Sequence, residues 1–220
     1  MSDSSKFTSA ELNLEESDTI EKSKVLLNRE WSFWENYETK SKNDKEADYS
    51  KLLKEVFSFN DIISFWQFWN NYPGSELKKI FFDGEFFRFF FKERYRIIAM
   101  NFFQKGVRPE WEDEKNKQGN ILTLSYTAKS EDIENFLEDV GGIWIKLIGL
   151  LIGETLPFCN NINGIRFVDK TKFGIYFNKV MIIFKYEIWA NSKMNDKELE
   201  ELKAYCTKEF GCQGTIKPIK

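Results

Sequence analysis

The chain has 220 residues, enough for one domain with a full hydrophobic core, and a net charge of −3, which argues against a broad phosphate-binding surface and for local nucleotide contacts only. It contains no histidine, which excludes imidazole-dependent mechanisms such as the Ser-His-Asp triad, Cys-His proteases and His-containing zinc sites. Three cysteines, Cys159, Cys206 and Cys212, lack CxxC spacing and signal neither a zinc ribbon nor a disulfide framework, which fits a reducing compartment. No apolar run reaches the length of a membrane span and the start is too polar for a signal peptide, so a cytoplasmic or nuclear location without membrane attachment is expected. The excess is aromatic: seven Trp, eight Tyr and twenty-two Phe make 17% of the chain, so some rings are available for recognition.

Residues 1–24 carry few large apolar groups and read as a disordered arm. A folded domain is expected over 25–220. Val25 to Trp34 reads as a strand, with Trp31 and Phe33 on a buried face. A Lys/Asp/Glu/Asn-rich loop over residues 38–48 leads to Tyr49, and Lys54 to Phe59 reads as a second strand. Asn60 is placed to cap a helix carrying Ile62, Phe65, Trp66 and Trp69, which Pro73-Gly74 ends. An insertion near 77–100 packs aromatics around Asp83-Gly84, as a hairpin or as a short helical lid. With Lys92, Arg94 and Arg96 it offers an RNA-contacting surface, although burial of its rings against the domain is the stronger reading.

Ser130 is placed to cap a long helix whose apolar stripe runs from Ile133 to Leu151, and Gly141-Gly142 marks a point where it is expected to break. Ile165 to Val168 and Val180 to Trp189 read as strands joined by an enlarged hairpin near 168–180 that holds Lys170, Lys172 and Lys179. Period-2 alternation puts Val180, Ile182, Phe184, Tyr186 and Ile188 on one face, with Lys185 and Trp189 looking out together from the other. A last helix over about 196–209 stops at Gly211, and a basic tail, Ile216 to Lys220, follows.

Between these elements lies Gly106-Val107-Arg108-Pro109-Glu110-Trp111-Glu112-Asp113-Glu114-Lys115-Asn116-Lys117, read as a loop between two strands because Pro109 forces extended geometry before it and Gly119-Asn120 closes it. Two readings stand. Trp111 plugs a core edge beside a solvated charge run, or Trp111 and Glu112 present a ring and a carboxylate to a flat, electron-poor ligand.

The segment from Gly106 to Asn116 resembles the eukaryotic translation initiation factor 4E family, and the resemblance continues through Leu27 to Trp34, Phe65-Trp66, Leu151-Ile152-Gly153-Glu154 and Glu187-Ile188-Trp189, over roughly residues 25–213. It implies a single α+β domain, a curved antiparallel sheet with about three helices on its convex face and a slot on the concave side for the 7-methylguanosine cap of messenger RNA. It also implies that Tyr49 and Trp111 sandwich the cationic base and that Glu112 reads the guanine edge. Trp189 would lie against the N7-methyl group, with Lys185 on the phosphates and a second phosphate ligand near Lys170, open among Lys170, Lys172 and Lys179 because extra residues enlarge this hairpin. A third basic residue of the family is replaced here, in Asn120-Ile121. Ile62, Trp66 and Gly153 match a docking face for a 4G-like scaffold or a 4E-binding repressor, although Lys146 and Gly149 depart from that pattern. The resemblance therefore implies a monomeric, non-enzymatic cap binder without cofactor or metal. Recruitment of message for initiation, repression or storage without the scaffold, and an interaction domain that has lost the cap all remain open at this point.

Overall fold

Strand-forming residues that alternate large apolar with polar side chains can bury one face of a sheet and leave the other for a site. The structure, a computed structural model, describes residues 25–39, 52–81, 95–129, 133–173 and 180–219. The arm expected over 1–24, Tyr49, the centre of the Phe-rich insertion with Lys92 and Arg94, Ser130 and Lys179 lie outside these residues.

Among the described residues, eight strands form one sheet: β1 Leu26–Thr39, β2 Leu53–Asp61, β3 Tyr95–Gln104, β4 Asn120–Lys129, β5 Ile162–Asp169, β6 Lys172–Phe173, β7 Val180–Ala190 and β8 Gly214–Pro218. They are ordered β2-β1-β3-β5-β7-β4-β8, with β6 beside β7, and every pair is antiparallel. The helices are α1 Ile62–Asn71, the short α2 Leu77–Phe81, α3 Ile133–Ile152 and α4 Asp196–Phe210. The α+β architecture expected from the sequence is the one found.

On β7 the alternation is followed residue by residue: Ile182, Phe184, Tyr186 and Ile188 are buried in the main core. From α3, Leu137, Val140, Trp144, Leu147, Ile148 and Leu151 join the same core, and each large side chain buried there contributes about 1.5–3 kcal/mol. Burial holds the Tyr186 hydroxyl in its protonated form, far above the usual tyrosine range, and it donates to the Val140 carbonyl across the sheet–helix interface.

Several local expectations are corrected. Asp61, not Asn60, caps α1: its carboxylate accepts from Ser64 N at 2.8 Å and Ser64 Oγ at 2.7 Å. Asn60 is exposed. The α3 helix runs unbroken through Gly141-Gly142, because Leu137 and Val140 before the pair and Trp144 and Leu147 after it lie on one buried stripe, whose packing outweighs about 1 kcal/mol of lost propensity per glycine. The basic tail is strand β8, paired with β4 from Leu124↔Gly214 to Asn120↔Pro218. At the edges of the Phe-rich insertion, Leu77, Ile80 and Phe81 are buried core residues. Arg96, at the far edge of the insertion, is ion-paired with Glu38 at 2.7 Å and Asp169 at 3.8 Å. The three cysteines are free thiols.

Candidate functional site

The loop between β3 and β4 is fixed from within. Asp113 accepts from the backbone N–H groups of Arg108 and Lys115, both at 2.9 Å. Asn116 is fully buried and donates to the carbonyls of Arg108 and Glu110, each at 2.8 Å. Its Oδ1 accepts at 2.9 Å from Asn163 Nδ2 at the start of β5, and the same Nδ2 donates to the Lys115 carbonyl at 2.7 Å. Beneath the loop, Val107 packs with Phe103, Trp189 and Ile219 in a small second core. Arg108 lies over the ring of Trp34, 5.5 Å from its centroid, and holds the loop against β1.

This scaffold leaves Trp111 58% exposed. The indole therefore does not plug a core edge, and the loop presents it to solvent. The acidic run beside it divides by role: Glu110 pairs with Arg108 at 2.7 Å, Asp113 shapes the turn, and Glu114 pairs with Lys117. Glu112 is exposed and has no ion-pair partner among the described residues.

The face of the sheet opposite the helices carries a cross-strand row that the strand registers define: Trp34, Asn101, Arg166, Glu187, Thr123 and Thr215. Asn101 donates to the Trp34 carbonyl at 3.2 Å and to Asn36 Oδ1 at 2.8 Å. Arg166 Nη1 faces Glu187 Oε2 at 3.7 Å. Trp34 Nε1, Asn101 Oδ1 and Arg166 Nε are buried without a hydrogen-bond partner, so this polar row is incompletely satisfied from within the protein.

Trp111 borders two recesses on this face. One, of about 290 Å³, is lined by Pro109, Glu110, Trp111, Glu112 and Arg166. The other, of about 450 Å³, is lined by Trp111, Ile121, Thr123, Lys185, Glu187, Lys217, Pro218 and Ile219. A flat base stacked on the indole with its polar edge toward Glu112, and an anionic group beside Lys185, is the combination these linings can hold. Among the described residues no cluster of three His, Cys, Asp or Glu side chains is placed to hold a metal.

Trp111 borders both recesses, with Glu112 lining the first and Lys185 the second. Trp189 shares the face of Lys185 but does not look out: it has no exposed surface, because Phe103, Val107 and Ile219 enclose it. Lys170 is exposed just past β5, where its backbone N–H donates to the Ile183 carbonyl at 2.8 Å, and it lines neither recess. On the helical side Trp66 is 45% exposed, Ile62 is half-buried, and the strongly exposed Val25 and Leu26 adjoin them, with Ile62 N donating to the Val25 carbonyl at 3.1 Å. Gly153, exposed at the end of α3, is drawn toward the start of β1 by its neighbour Glu154, which accepts from Asn28 at 2.9 Å and Arg29 at 3.2 Å. Lys146 pairs with Glu209 at 2.5 Å.

Sequence reasoning missed Arg166, Asn116, Asn163 and Lys217. Strand alternation around Ile165 and Phe167 could have assigned Arg166 to the open face. Lys217 was hidden because the short, Gly- and Pro-bounded β8 has little strand signal.

A family model described as Eukaryotic initiation factor 4E matches residues 26–216. Eukaryotic translation initiation factor 4E of Candida albicans is 31% identical over 140 residues, covering 63% of this chain and 56% of the relative. The Saccharomyces cerevisiae protein of the same name is 31% identical over 140 residues, covering 63% and 54%. The chain thus spans about half the length of the curated relatives it matches. Among solved structures, Ascaris suum eIF4E-3 in complex with m7G cap superposes with a TM-score of 0.60 at 16% identity, over 90% of this chain and 92% of that one. Schistosome eIF4E in complex with m7GpppA and 4E-BP gives 0.58 at 18% identity, over 90% and 89%. At these identities the structural likeness concerns the fold.

Proposed function

The chain belongs to the eukaryotic initiation factor 4E family, and from that premise we propose that it binds the 7-methylguanosine cap of messenger RNA beside Trp111 and brings capped message to translation initiation. The observation that carries this reading is an exposed Trp111 on a loop fixed by Asn116 and Asp113, next to a Glu112 carboxylate that no described cation neutralises.

Methylation at N7 makes guanine cationic, so stacking on Trp111 gains about 1–3 kcal/mol and a cation–π contribution of about 0.5–2 kcal/mol. Ionised Glu112 is an acceptor-only group whose two oxygens suit the N1–H and N2–H donors of the base, and the Trp111 backbone N–H takes O6. Tyr49 supplies the second ring, and Lys185 takes the phosphates together with one of Lys170, Lys172 and Lys179 from the enlarged hairpin. Trp189 supports the base of the loop from below.

The patch of Ile62 and Trp66 with Val25 and Leu26, close to Gly153, is the docking face for a 4G-like scaffold or a 4E-binding repressor. A second reading, a divergent cap binder that represses or stores message without the scaffold, is favoured by Lys146, which engages Glu209 where an acidic docking residue is expected. Failure of the scaffold's docking peptide to bind at micromolar concentration selects the second reading. For cap binding itself, retention on immobilised 7-methyl-GTP with release by free 7-methyl-GTP but not by GTP is expected, and Trp111→Ala and Glu112→Ala should pass through. Equal release by GTP would contradict the reading.

A further inference from the structure

Lys185 and Lys217 face the same groove of about 450 Å³ beside Trp111. Many basic groups on the described surface sit in ion pairs, among them Arg29, Arg96, Lys105, Arg108 and Lys146, whereas Lys54, Lys115, Lys170, Lys193 and Lys208 are unpaired among the described residues but line neither recess beside Trp111. Lys185 and Lys217 have no ion-pair partner among the described residues. Among the described residues lining the groove, the one carboxylate, Glu187, is turned to Arg166 at 3.7 Å. Two ammonium groups left uncompensated across one groove favour an anion between them.

The position of Lys217 is built rather than incidental. Its strand β8 pairs with β4, and Ile121↔Lys217 continues the row of Ile121↔Trp189. The end of β8 is pinned by Ile219, which is buried and donates its N–H to the Gly119 carbonyl at 2.8 Å. Lys217 and Lys185 lie two strands and four residues apart, a backbone separation of about 16 Å at about 4.8 Å per strand and about 3.3 Å per residue. Two extended lysines reaching inward from that distance leave room for a phosphate chain. The segment after the Trp111 loop, Gly119-Asn120-Ile121, carries no cation of its own, and Lys217 enters from the strand paired with it.

We propose that Lys217 is a phosphate ligand that closes, opposite Lys185, a two-lysine clamp on the distal phosphates of the cap. The inference rests on the cap-binding reading above. Its test is a set of dissociation constants for 7-methylguanosine and its mono-, di- and triphosphates with the wild-type chain, Lys217→Ala and Lys217→Arg. Lys217→Ala should bind the nucleoside and monophosphate within about twofold of wild type and the triphosphate roughly tenfold more weakly, the scale of one lost charge-assisted hydrogen bond. Its affinity for the triphosphate should also lose roughly one counterion's worth of salt dependence, and Lys217→Arg should retain wild-type behaviour. Equal weakening of all four ligands, or an unchanged triphosphate affinity, overturns the clamp while leaving cap binding in place. A wild-type chain that binds none of the four overturns the cap reading and the clamp with it.

Discussion

Asn116 shows how a residue can govern a site it does not line. Its side chain has no exposed surface, its amide donates to two loop carbonyls and its oxygen accepts from Asn163, so it joins the loop to β5. Asn116→Ala leaves those carbonyls and the Asn163 amide without their partner at a cost of about 1–3 kcal/mol, and lets the loop wander. We expect both a lower unfolding free energy in urea and at least a tenfold loss of 7-methyl-GTP affinity. Trp111→Ala should lose affinity on a similar scale with stability within about 0.5 kcal/mol of wild type, because the ring is largely exposed. A Trp111 variant that loses as much stability as the Asn116 variant would return the indole to the core. Trp111 and Glu112 could be picked out from the sequence, since a ring and a carboxylate on a Pro- and Gly-bounded loop form a local pattern. Asn116 could not, because its importance lies in a contact with a residue 47 positions away.

At the level of elements, the period-2 pattern of β7 and the period-3.6 stripe of α3 identified both from the sequence, because each buries one continuous face. What local reasoning misjudged were places where packing overrides propensity. Gly141-Gly142 looks like a break but lies in an unbroken helix, and nothing lies within 4 Å of a Cβ built at Gly142. Gly142→Ala is therefore expected to stabilise the protein by up to about 1 kcal/mol. Gly164 in β5 is the opposite case: a Cβ there would stand 2.4 Å from the Phe103 ring and 2.6 Å from the Phe102 carbonyl oxygen. Gly164→Ala should cost about 1–3 kcal/mol and, by displacing Phe103, disturb the small core under the Trp111 loop. Chemical denaturation of the two variants checks the contrast, and loss of stability in both would mean that α3 depends on the bare backbone at Gly142. The tail offered no periodicity long enough to read, and only its pairing with β4 shows it to be the last strand and the carrier of Lys217.

Across the whole molecule the sheet separates two tasks. One face is covered by helices and holds the main core, with Trp66, Val25 and Leu26 exposed toward its edge. The other carries the polar row through Arg166 and Glu187 and the two recesses that Trp111 borders. The overall charge of −3 suits the proposed local grip on a nucleotide, through two lysines in one groove, better than binding along a basic surface. The exposed Trp111 is the natural reporter of the proposed cap binding. Titration of intrinsic tryptophan fluorescence with 7-methyl-GTP should give saturable quenching at concentrations at least tenfold lower than GTP requires, and most of that quenching should disappear in Trp111→Ala. Equal affinity for the two nucleotides, or no quenching by either, would contradict the account.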